Sequence, residues 1–103
     1  MRDVKKADKI QKIADEESLS LKVIELEVDN EESAENAINT IIQEKGRIDV
    51  IVNNAGWGIW GTGEDVSVEE FKEQLETNFF SVVRMVQKVA PTMRNQGLSL
   101  IHI

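Results

Sequence analysis

Ile48-Asp49-Val50-Ile51-Val52-Asn53-Asn54-Ala55-Gly56 is the stretch on which the reading of the chain turns. Its apolar part is continuous rather than alternating and is rich in β-branched residues. That pattern suits a parallel strand covered by helices on both faces. Asn-Asn-Ala-Gly then ends the strand and lets main chain approach a ligand. In open α/β sheets ligands sit beyond the carboxyl ends of strands, which is where these four residues fall.

On the upstream side, Asp3 is placed to cap a helix running to about Glu17, with Ala7, Ile10, Ile13 and Ala14 on one face. A turn at Ser18-Leu19-Ser20 leads into a strand from Leu21 to Val28. Asp29 or Asn30 caps the next helix, whose Ala34, Ala37, Ile38, Ile41 and Ile42 recur at helical spacing. Gly46 sits where a left-handed residue would end it. On the downstream side, Trp57-Gly58-Ile59-Trp60-Gly61-Thr62-Gly63 reads as a loop, and Ser67-Val68-Glu69-Glu70 as a capping box. That box opens the longest helix, Ser67–Met93, with an expected buried stripe of Phe71, Leu75, Phe79, Val82, Val83, Val86, Val89 and Ala90. Asn78 falls in the middle of the stripe, and Pro91 should end or kink the helix. Leu98 to Ile103 begins another strand. Helices alternating with strands imply right-handed crossovers and a parallel sheet, so the fold class is α/β, with one domain over residues 1–103.

Twelve basic against nineteen acidic residues give a net charge of −7, which argues against nucleic acid or an acidic membrane surface as partner. There is no cysteine and a single histidine, His102, so thiolate sites and a zinc cluster are excluded. No apolar run approaches the length of a membrane span, there is no signal-peptide pattern, and a cytoplasmic setting is the default. The acidic groups Glu31, Glu32, Glu35 and Glu64, Asp65, Glu69, Glu70 read as solvated helix faces and helix starts rather than a cation site. Gly56-x-Gly58-x-x-Gly61 matches a dinucleotide fingerprint only in form, because the next helix starts near Ser67 and Glu76 lies inside it.

Asp49 to Gly56 resembles the Asn-Asn-Ala-Gly segment of the short-chain dehydrogenase/reductase family, and Glu76-Thr77-Asn78-Phe79-Phe80 resembles its catalytic-asparagine segment. Met1 to Lys6 and Gln74 to Phe80 are most similar to the subgroup acting on steroids and retinoids. The resemblance implies an oxidoreductase that moves hydride between a nicotinamide cofactor and a small apolar alcohol or ketone. A 3-oxoacyl thioester reductase is the alternative within the family, and a non-enzymatic α/β binding domain the alternative outside it. It further implies that Asn54, Ala55 and Gly56 pack on the ribose and pyrophosphate, where larger side chains would take the ligand's volume. Glu27 and Val28 would stand against the adenine, Glu replacing the family's usual Asp. Arg2 would pair with the 2′-phosphate of NADP, which favours NADP over NAD. Asn78 would hold a water in a proton relay to a catalytic lysine. Homo-oligomers through the long helix are common in the family.

The chain contains no tyrosine, so the family's tyrosine and lysine pair is not in it, and neither are the serine and the first glycine-rich turn. The resemblance therefore implies a central fragment, a partial Rossmann-like doubly wound parallel sheet holding strands 3, 4 and 5 without strands 1 and 2. In the family order 3-2-1-4-5, strands 3 and 4 would face each other across about 14 Å, three steps of about 4.8 Å. Such a fragment is expected to be inactive, with exposed strand edges that favour aggregation.

Overall fold

The computed structural model describes residues 1–98. A 3-10 turn, Val4–Ala7, runs into α1, Asp8–Glu16; α2 is Glu31–Lys45; and α3, Val68–Leu75, continues through a π-helical turn, Glu76–Phe80, into α4, Ser81–Asn95. The local signals act where the sequence puts them. Asp3 accepts the Lys5 N–H at 3.1 Å, and Asn30 Oδ1 accepts the Ser33 N–H at 2.8 Å. Ser67 and Glu70 close both halves of the capping box. Gly46 ends α2 at φ 72°, a region that costs a residue bearing a Cβ about 1–2 kcal/mol.

α2 lies against α4. Ala34 and Ile38 of α2 and Met85, Val89 and Met93 of α4 close over Ile48, with Leu26, Ile41, Ile42 and Ile51 around them. This seam is the core. α1 touches no other helix among the described residues, and the expected stripe on it is broken: Ala7 and Ala14 are buried but Ile10 and Ile13 are exposed.

Two expectations about the sheet are corrected. Among the described residues neither Leu21–Val28 nor Ile48–Val52 forms a strand, because a strand's hydrogen bonds must come from a neighbour. One rung survives. The Met1 amino group donates to Ile24 O at 3.0 Å and Leu26 N–H donates to Met1 O at 2.9 Å. Two bonds that bracket Glu25 in this way are the parallel pattern. On the other segment, the Gln96 side-chain amide takes the place of a neighbouring peptide, with Nε2 2.7 Å from Ile48 O and Oε1 3.0 Å from Ile48 N. From Asp49 to Gly56 there is no backbone–backbone hydrogen bond among the described residues. Burial is also one-sided: Ile48 and Ile51 join the core, whereas Val50 and Val52 are 75% and 78% exposed.

The long helix differs from expectation in two ways. It passes through Pro91 and ends only at Asn95, with Met93 buried beyond the proline. Its buried face is Thr77, Ser81, Met85, Val89 and Met93, while Phe71, Leu75, Phe79 and Val83 are exposed. The helix is apolar on two sides, and the side carrying Met85, Val89 and Met93 meets α2 and the Ile48 segment. The expected strand at Leu98 to Ile103 lies, beyond Leu98, outside the described residues. No described helix is long and apolar enough to cross a membrane.

Candidate functional site

Between the two apolar segments lies a cleft of about 710 Å³. Arg2, Glu27, Val28 and Asp29 line one rim, Asn54, Ala55, Gly56 and Trp57 the other, and Thr77, Ser81 and Met85 reach it from the long helix. Every residue that the sequence assigned to a dinucleotide thus borders a single concavity. Its volume is in the range of ligand clefts, and its rims are main chain with few bonds of its own. It is therefore both a ligand-sized and a strand-sized space. The small residues at the second rim leave main-chain donors and acceptors open to whatever fills it.

Asn78 stands behind that rim rather than in the cleft, and it corrects an expectation. It is exposed, not buried in an apolar stripe. Its amide is nevertheless engaged at both ends: Nδ2 donates to Trp57 O at 2.7 Å, and Oδ1 accepts Trp57 N–H at 3.0 Å. An amide that meets both main-chain groups of one residue copies a strand rung, and this satisfies the polar group without burial. The π-helical turn delivers it there, since Ser81 N–H bonds Glu76 O five residues back. Such turns concentrate at functional sites. The glycine at position 56 follows from the same contact. A Cβ on Gly56 would lie 3.2 Å from Asn78 Oδ1, so the amide crowds any larger residue here.

Thr77 binds both rims. Its hydroxyl donates to Asp29 Oδ2 at 2.7 Å and accepts the Trp57 indole N–H at 3.1 Å. Of the two expected caps for α2, Asn30 does the capping, which leaves Asp29 for Thr77. Arg84 fastens the first rim to the helix layer. Its Nη1 donates to Val28 O at 2.6 Å and its Nε to Glu31 at 2.8 Å, with Nη2 on Glu76. The Glu76 carboxylate, with Glu31, raises the pKa of the guanidinium. Lys88 first, and Arg84 with it, holds the Glu31 carboxyl below its ordinary range.

Sequence reasoning passed over Thr77, Arg84 and Gln96. Thr77 and Ser81, two hydroxyls four apart in an apolar helix, were a readable sign of a close-packed face. Arg84 and Gln96 gave no local sign, because Val28 and Ile48 are far away along the chain. In the loop, Trp60 is 97% exposed and does not line the cleft, unlike Trp57.

A family profile described as enoyl-(acyl carrier protein) reductase matches residues 1–103. The chain belongs to the short-chain dehydrogenase/reductase family. It is 45% identical over 74 residues to a 3-ketodihydrosphingosine reductase of Bacteroides thetaiotaomicron, covering 72% of this chain and 28% of that protein. It is 39% identical over 100 residues to retinol dehydrogenase 8 of Bos taurus, covering 94% of this chain and 31% of that protein. The chain therefore spans about a third of the curated relatives it matches. Among solved structures it superposes with TM-score 0.83 and 30% identity on an alcohol dehydrogenase from the archaeon Thermococcus sibiricus, complexed with 5-hydroxy-NADP. That match covers 94% of this chain and 42% of the other. The helix layer and the two unladdered segments are thus placed as in Rossmann-fold dehydrogenases, although no ladder closes between them.

Proposed function

We propose that these residues form the central part of an NAD(P)-dependent oxidoreductase acting on an apolar alcohol or ketone. The observation that carries this reading is the convergence of Arg2, Glu27, Val28, Asn54, Ala55 and Gly56 on one cleft, with Asn78 locked behind Gly56. A bound nicotinamide cofactor would supply the hydride. The chain's own residues would bind and orient it: Asn54 to Gly56 with main chain along the ribose and pyrophosphate, Glu27 and Val28 at the adenine end. Arg2, a forked cation at the first rim, suits a 2′-phosphate and favours NADP. Asn78 holds the second rim in place through the Trp57 peptide. The names of the relatives, one a retinol dehydrogenase and one a ketodihydrosphingosine reductase, support an apolar substrate.

The test is cofactor titration of the protein in its full encoded length. NADPH is expected to bind, and Arg2→Ala to weaken NADPH about tenfold or more while leaving NADH unchanged. Binding of neither dinucleotide overturns the reading. Equal losses for the two overturn the role of Arg2. The 103 residues alone, having no tyrosine, are expected to give no NADPH oxidation with retinal or a long-chain ketone.

A further inference from the structure

Thr77 is buried, and its hydroxyl differs from that of its helical neighbour Ser81, which turns back on Thr77 O. Its direction is fixed by its partners. An indole N–H can only donate and an ionised carboxylate can only accept, so the chain runs from Trp57 through Thr77 to Asp29. The same hydroxyl lies 3.4 Å from Glu73 O, a longer contact than the 2.7 Å to Asp29. Trp57, next to Gly56, is then held at its peptide by Asn78 and Gln74 and at its ring by Thr77. We propose that Thr77 is a positioning residue that sets the separation of the two cleft rims, fixing the Asn54–Gly56 turn through the Trp57 ring and the Val28–Asp29 corner through the Asp29 carboxylate. This rests on the dehydrogenase reading above. A rim ordered before binding spares the dinucleotide the cost of ordering it, so the effect falls on cofactor binding and not on the chemical step.

Full-length protein carrying Thr77→Val, Thr77→Ser, Trp57→Phe or the Val/Phe pair distinguishes the outcomes. Thr77→Val and Trp57→Phe are each expected to raise KM for NADPH roughly three- to tenfold. The value of kcat should stay within about twofold. Thr77→Ser should restore KM, and the double variant should be no worse than the worse single one. In the protein without cofactor, the Trp57 indole N–H resonance should move upfield in Thr77→Val and return in Thr77→Ser. Should Thr77→Val fail to fold, Trp57→Phe, which leaves the Thr77–Asp29 bond intact, carries the same test. A KM within about twofold of wild type, losses that add in the double variant, or a fall confined to kcat overturns the proposal. Wild-type protein that binds neither NADPH nor NADH overturns the dehydrogenase reading and this inference together. Wild type that binds, with variants that do not differ, overturns this inference alone.

Discussion

The seam between α2 and α4 and the pair of segments beside the cleft are both apolar, yet only the seam is closed. Ile38, Met85 and Val89 are buried there, while Val50 and Val52 stand in the open. The difference lies in where each element's hydrogen bonds come from. A helix satisfies its main chain within itself, so capping and one buried stripe suffice to place it. A strand borrows its bonds from neighbours, and Asp49 to Gly56 has none to borrow from among the described residues. Gln96 and the Met1 rung are partial substitutes, at one residue each.

The contrast can be broken in the full-length protein, and the largest expected effect is on the closed side. Ile38→Ala should cost about 2–5 kcal/mol in denaturant unfolding, as the removal of a large buried side chain does. A cost below about 1 kcal/mol would mean that the seam is not the core. The open side is next. Val50 is 75% exposed within these residues, and the dehydrogenase reading proposed above would cover it in the whole protein. Val50→Ser should therefore cost more than about 1 kcal/mol there, and a change within about 0.5 kcal/mol would show that the outer face stays bare.

Smaller effects sharpen the helical half. Ser67→Ala removes the hydroxyl that accepts Glu70 N–H and should cost about 1 kcal/mol; an unchanged unfolding midpoint would count against the capping box. The smallest effect is in pH. Hydrogen bonds from the Ser67 main chain, and then its side chain, hold the Glu70 carboxyl below its usual 4.5. A depressed folded value means that the contribution is complete above about pH 4.5 and is lost as pH falls through the folded value. The stability difference between wild type and Glu70→Gln should accordingly shrink as the solution is acidified below pH 4.5. A difference constant from pH 7 to pH 3 would refute the charge-dependent cap.

How much was legible follows the same division. Asn30, Gly46 and Ser67 act on groups within four residues of themselves, and each was readable in place. The cofactor candidates were legible as motifs, though not as geometry: nothing in Asn54-Ala55-Gly56 says that a side chain from the long helix lies 3.2 Å from where a Cβ would stand. The stripe on the long helix was misjudged because two of its faces are apolar, and periodicity cannot say which one meets α2. Asn78 was placed in the wrong surroundings, because a π-helical turn breaks the count of 100° per residue on which the stripe was drawn.

By itself the sequence determined the helices, the capped ends at Asn30, Gly46 and Ser67, and the family, since these depend on contacts within a few residues and on short motifs. Only the tertiary structure decided that Thr77 spans the cleft, that Arg84 holds Val28, and that Asn78 grips the Trp57 peptide. Each of those contacts joins residues more than twenty positions apart, and chain folding, not local preference, brings them within hydrogen-bond reach.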